Sequence, residues 1–155
     1  MLKCNTLRLR FLLLDEYSLK SMIEGVERTF GSWNNSLRFY IGAFLGAGLA
    51  EKIKRTSSIM DEDVFYIMRR VYSENGWGNL EVITIDTIRE VIEIYLKDSI
   101  EGSISNNGCH MTRGHIAGFL STILNTSVSV EEVECISKGA PYCKFLIKIQ
   151  NFRKG

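Results

Sequence analysis

Three of the four cysteines and both histidines of this chain fall between Cys109 and Phe145, and that clustering constrains the fold more than any other feature. The stretch reads Cys109-His-Met-Thr-Arg-Gly-His-Ile-Ala-Gly-Phe-Leu, then Glu132-Val-Glu-Cys135, then Gly139-Ala-Pro-Tyr-Cys143-Lys-Phe145. Cys135 and Cys143 are symmetric about Gly139. Residues suited to strands flank them, Ser129 to Ser137 and Tyr142 to Ile149, with a turn over Lys138-Gly139-Ala140-Pro141. In such a hairpin the two cysteines are cross-strand neighbours, with Cβ atoms roughly 4.5–5.5 Å apart. That spacing suits a disulfide or two ligands on one metal.

Composition separates these options. At 155 residues, 45% hydrophobic and 24% charged, the chain is expected to form one domain with a substantial core. Phe11 to Leu14 is too short for the apolar region of a secretory signal, and no stretch is long enough to span a bilayer, so the expected location is cytoplasmic. Thiols stay reduced there, and clustered cysteines read as metal ligands before disulfides. A net charge of +1 gives no reason to expect nucleic acid as a partner.

Along the chain, Leu7 to Leu14 reads as a short strand, and Asp15 caps a helix to about Phe30 with Leu19, Ile23, Val26 and Phe30 on one face. Ser36 caps a second helix, Leu37 to about Arg55. Leu37, Tyr40, Ile41, Phe44 and Leu45 make a bulky stripe on it, and Gly42, Ala43, Gly46, Ala47 and Ala50 an almost bare one beside it. Each interior glycine costs about 1 kcal/mol relative to alanine. Gly42, Gly46 and Gly48 therefore call for a reason, either close approach of another backbone or room for a bound molecule. Asp61 or Ser58 caps a third helix through Tyr72, with Val64, Phe65, Met68, Val71 and Tyr72 inward. Leu80–Ile85 and Ile88–Leu96 read as strands joined around Asp86-Thr87, Lys97 to Gly108 as a surface loop, and Thr112 to Asn125 as a fourth helix. The fold class is α+β: a helical N-terminal half packed on an antiparallel sheet that one helix interrupts.

The order strand, strand, loop cysteine, helix with Gly-x-x-x-Gly-Phe, Glu-Val-Glu-Cys and Gly-x-x-x-Cys-x-Phe resembles the 4-vinyl reductase domain family. These are small-molecule-binding domains, found alone in archaea and fused to bacterial regulators that sense aromatic hydrocarbons. They are related in fold to Golgi tethering subunits that hold an acyl chain and to haem nitric-oxide sensors. The match is carried from Cys109 to Phe145. The helices before Leu80 agree in order and in their glycine-rich middle, and nothing is carried onto the first thirty residues. The resemblance implies the fold of that nitric-oxide signalling and Golgi transport group, with a zinc-stapled C-terminal hairpin. It also implies zinc ligands at Cys109, Glu132, Cys135 and Cys143.

Three thiolates and a carboxylate fill a zinc tetrahedron with no open position, which makes a structural site. The excess negative charge falls near a helix start at Cys109, where free N–H groups offset part of it. Glu132 and Cys135 are an odd number apart and point to opposite faces of a flat strand, so a bulge near Val133 or Glu134 is required. Otherwise Glu134, His110 or a water completes the site.

No phosphate-cradling loop, Ser-His-Asp arrangement or carboxylate pair stands out, so binding is preferred to catalysis. The expected function is that of a sensor or carrier of a small apolar or aromatic molecule. Its pocket is expected between the glycine-rich helix and the sheet, lined by Phe39, Phe44, Gly46, Phe65, Met68, Trp77 and Phe119. The alternatives are an enzyme or enzyme accessory acting on a vinyl-bearing or tetrapyrrole substrate, with His115 or Tyr142 as proton donor, and an interaction module of a larger complex. The two uncharged faces of the second helix, and the dimers common among similar proteins, predict a homodimer.

Overall fold

The computed structural model describes residues 14–56, 63–86 and 88–150; the expected strand at Leu7–Leu14, apart from Leu14, and the expected caps Ser58 and Asp61 lie outside them. Asp15 accepts a hydrogen bond from Ser18 N at 3.0 Å and starts helix α1, Glu16–Phe30, whose Leu19 and Ile23 are buried. A 3-10 turn over Gly31–Trp33 feeds directly into α2, Asn34–Thr56, which therefore starts two residues before Ser36. The Asn34 side chain fastens this join by donating to the Gly31 carbonyl at 2.9 Å. Helix α3 runs Val64–Glu74 and buries Val64, Met68 and Tyr72.

Four antiparallel strands follow in the order β1-β2-β4-β3: β1 Asn79–Asp86, β2 Val91–Lys97, β3 Val128–Glu134 and β4 Cys143–Ile149. Ile92, Ile94 and Leu96 on β2 and Cys143, Phe145, Ile147 and Ile149 on β4 alternate into the core, as the period of two requires. Strand β2 begins at Val91, not at Ile88, because the Asp86 carboxylate accepts from Ile88 N and Arg89 N and turns the chain there.

The segment expected as a surface loop contains a short helix, α4, Ile100–Ile104, and Ser99, Glu101, Gly102, Ile104 and Ser105 are all buried. Helix α5, His110–Leu124, then crosses the molecule between α2 and the sheet. The bare stripe of α2 is the surface it meets. A Cβ on Gly42 would strike the Met111 carbonyl and one on Gly46 the His115 carbonyl; on α5, Gly114 abuts the Phe39 carbonyl and Gly118 that of Ala43. Glycines on both helices thus let two backbones touch, and the close-approach reading holds for Gly42 and Gly46. Gly48 meets nothing within 4 Å.

Candidate metal centre and its surroundings

Cys109 occupies the N-cap position of α5, Cys135 follows β3, and Cys143 opens β4. Their sulfurs form a nearly equilateral triangle: Cys109–Cys143 3.4 Å, Cys135–Cys143 3.5 Å and Cys109–Cys135 3.6 Å. A disulfide requires about 2.05 Å, so no pair is bonded. Zinc–sulfur bonds of about 2.3 Å in a tetrahedron set sulfurs roughly 3.8 Å apart, close to this triangle.

Glu132 is the fourth member, and the ligand atoms of all four residues lie within 4.8 Å of one another. The pairing of β3 with β4 slips between Glu132 and Glu134, which is the bulge that the odd spacing demanded. The Glu132 carboxylate also accepts the Cys109 N–H at 3.1 Å. Gly108, at φ +88°, lies against that carboxylate, and a Cβ there would sit 2.5 Å from Oε2. Glu134 is exposed, and His110 is not among the converging groups.

The surroundings favour thiolates. Ser137 Oγ donates to Cys135 Sγ at 3.1 Å and Ile136 N to Cys143 Sγ at 3.4 Å. Hydrogen bonds from Cys109 and Cys143 hold the Cys135 thiol below its usual range, while the bonds Cys109 gives to Cys135 and Cys143 push its own pKa up. Burial, reinforced by the negative charge at Cys135, raises Glu132 to about 7. Four crowded acids cannot all ionise alone; a dication at their centre removes that conflict. This donor set fits a metal ion.

Two residues that support the centre were not singled out from sequence. Glu101 accepts from Met111 N at 2.9 Å, Thr112 N at 2.7 Å and Thr112 Oγ1 at 2.8 Å, so its carboxylate caps α5. The N–H groups expected to face the metal are therefore divided: Cys109 N serves Glu132, and the next two serve Glu101. Arg38 pairs with Glu101 at 3.5 Å and donates to Ser105 Oγ at 3.0 Å, with both ionic side chains buried. A signal for Arg38 was present, since it is the only charge between Asn34 and Ala50. Gly102 lies against the Cys143 sulfur, where a Cβ would come within 2.8 Å, so α4 packs directly on the cluster.

The residues expected to line a pocket divide into two groups. Met68 and Phe119 are fully buried, and Phe65 and Trp77 pack on the same core cluster. Beside them Tyr72 Oη lies 3.1 Å from His115 Nδ1, and Trp77 and His115 have ring centroids 4.9 Å apart. Burial lowers the His115 pKa to about 4. The other three are not brought to that cluster. Phe39 lies under the Arg113 guanidinium at 5.1 Å, Phe44 stacks on Tyr40 with 74% of its surface exposed, and Gly46 meets α5. Tyr142 stacks on Tyr95 at 4.3 Å. An open cleft of about 240 Å³ bounded by Arg89, Ser127, Lys148 and Gln150 includes none of the expected residues.

A helical half on a four-stranded antiparallel sheet, closed by a cluster of three cysteines and a glutamate, defines the architecture shared by small-molecule sensor domains and vesicle-tethering subunits. Within it, residues 92–149 match the family model of the 4-vinyl reductase domain, and the chain carries that domain. Over 78 residues it is 41% identical to an uncharacterized protein of Methanocaldococcus jannaschii, a match covering 48% of this chain and 44% of that one. The chain thus spans less than half the length of that relative. Its fold is similar to the phenol-responsive sensory domain of the transcription activator PoxR with phenol, at TM-score 0.75 and 22% identity over 94% of this chain and 80% of that one. It is also similar to trafficking protein particle complex subunit 3 from Naegleria fowleri covalently bound to palmitic acid, at TM-score 0.63 and 12% identity over 90% and 98%. A third likeness is to an H-NOX protein from S. oneidensis in the Fe(II)NO ligation state, at TM-score 0.64 and 16% identity over 94% and 83%. No helix among the described residues is long and apolar enough to cross a membrane.

Proposed function

We propose that this protein is a zinc-stapled small-molecule-binding domain, a cytoplasmic sensor or carrier for an apolar or aromatic ligand, and that it works as a homodimer. The observation that carries the metal part is the 3.4–3.6 Å sulfur triangle with the Glu132 carboxylate beside it. Cys109, Cys135, Cys143 and Glu132 would hold one Zn2+ with no open position, so the ion would tie the α5 N-terminus and α4 to the last hairpin rather than act on substrate. Support for the ligand part comes from the phenol and palmitic acid that the similar domains hold. The ligand would take up space in the cluster of Phe65, Met68, Trp77 and Phe119, where apolar walls stand beside the polar Tyr72–His115 pair.

Elemental analysis and native mass spectrometry of protein purified without chelator test both parts. One zinc per chain and a co-purified apolar molecule are expected. A metal-free protein with a Cys135–Cys143 disulfide would overturn the metal part. A ligand whose affinity is unchanged by Phe119→Ala and Met68→Ala would overturn the pocket.

A further inference from the structure

Helix α2 has two faces with opposite fates. The face built on Arg38, Gly42, Gly46 and Ala50 is buried on α5. On the opposite side, at helical spacing, stand Trp33 and Phe44, each 74% exposed, and Tyr40, 57% exposed, with half-buried Leu37 between them and exposed Leu45 at the flank. From Asn34 to Ala50 the only charge is Arg38, and it is buried, so this outward face is uncharged over more than four turns. Exposed helix faces are ordinarily polar.

Gly48 belongs to the same face, one turn beyond Phe44. Unlike Gly42 and Gly46 it meets no atom within 4 Å, so nothing among the described residues of its own chain accounts for a glycine there. A glycine in a helix interior is the least favourable residue after proline. A second helix approaching closely at this position supplies the reason that the chain itself does not.

We infer that the Trp33–Tyr40–Phe44–Gly48 face of α2 is the surface on which a second copy of this chain packs, with the two α2 helices antiparallel about a two-fold axis near Phe44. This rests on the homodimer proposed above and gives it a location. The axis sets Phe44 against its counterpart and Tyr40 of each copy over the bare Gly48 of the other. By the same symmetry Arg55 stands opposite Trp33 of the second copy, a cation over an aromatic face, and Glu51 stands beside Leu37, so no like charges meet. Since a fully exposed aromatic side chain offers about 150–250 Å², the uncovered parts of Trp33, Tyr40, Phe44 and Leu45 come to roughly 500 Å². Leu37, Ala47 and the helix backbone add to this, towards the roughly 800 Å² that each partner contributes to a standard interface.

The test is light scattering and sedimentation of the full chain, purified with its metal, at micromolar to tens of micromolar concentration. The expected mass is twice 17.7 kDa. Phe44→Glu is expected to give a monomer with unchanged circular dichroism and metal content. Gly48→Leu should raise the dimer dissociation constant at least tenfold without lowering the unfolding midpoint, because its own chain leaves that position open. A wild-type monomer removes the dimer itself. If the dimer survives both substitutions, the interface lies elsewhere, and if deleting residues 1–13 is what first exposes this face, that segment covers it instead; either result overturns the assignment. Metal content, measured on the same samples, reports separately on the zinc reading.

Discussion

The carboxylate of Glu101 accepts the Thr112 N–H at 2.7 Å while lying 3.5 Å from the Arg38 guanidinium, so one buried side chain caps α5 and fastens it to α2. Burial raises the Glu101 pKa, and the hydrogen bonds from Thr112 and Met111 work against that rise. The carboxylate holds Thr112 in the first turn of the helix that Cys109 begins. The metal cluster therefore rests on a polar network that belongs to the helices.

Removing Glu101 leaves Arg38 as an uncompensated buried charge and the first turn of α5 uncapped. Breaking a buried pair costs about 3–5 kcal/mol. Glu101→Ala is expected to lower stability by that order in urea unfolding. Arg38→Met combined with Glu101→Leu should cost much less than the sum of the single changes. Additive losses in that double-mutant cycle would show that the two side chains act independently.

Glycines of identical type are expected to respond oppositely. At Gly42 and Gly118 a methyl group meets backbone carbonyl atoms of the facing helix, which cannot move aside as a side-chain tip can. Gly42→Ala and Gly118→Ala should each destabilise by about 2 kcal/mol or more, within the range for overpacking. Gly46→Leu should behave likewise and lose stability, not merely ligand affinity. Gly25, inside α1 with nothing within 4 Å, should gain about 0.5–1 kcal/mol as alanine. Thermal melts of the four variants decide this, and equal responses at Gly25 and Gly42 would remove the close-contact account.

His115 should make stability depend on pH. Its folded pKa is lowered to about 4 from the ordinary value of 6.5, because burial disfavours the imidazolium. Between those values the unfolded chain binds the extra proton, so stability rises with pH across that window and levels off above it. The full swing is about 3 kcal/mol at 1.36 kcal/mol for each pH unit. The difference between wild type and His115→Phe, followed by chemical denaturation from pH 4 to 7, should grow in favour of wild type as pH rises. A pH-independent difference would show that His115 does not titrate on unfolding.

Much of the centre is legible in the residues because its constraints are local. The odd spacing of Glu132 and Cys135 calls for a bulge, and the strand pairing slips between Glu132 and Glu134. Paired glycines signal close backbone approach, although the facing positions on α5 depend on how the helices cross. Helix α4 reads as a loop because Ser99, Gly102, Ser103 and the asparagines favour turns. It forms because tertiary contacts override propensity: Ser99 caps it, and Glu101 reaches across to another helix. The pocket set is the least legible. An aromatic on a helix is assigned inward or outward by the neighbouring elements, and α5 takes the side of α2 away from Phe44.

Loss of the metal should be felt most in the elements it joins. Cys109 starts α5, Gly102 of α4 lies against Cys143, and Cys135 and Cys143 close the last hairpin, while α3 and β1 supply none of the four ligands. Unfolded chains have no preformed site, so metal-binding free energy becomes folding free energy. Cys135→Ala and Cys143→Ala should therefore lower stability by several kcal/mol, whereas Cys4→Ala should not. Glu132→Gln should weaken binding less than loss of a cysteine, since three thiolates and a water still complete the coordination. Hydrogen exchange before and after chelation locates the effect: protection should fall in α4, the first turn of α5 and the β3–β4 hairpin, and persist in α3 and β1. Uniform loss across the chain would mean that the metal holds the whole fold, and unchanged exchange at Cys143–Phe145 would mean that it holds none of it.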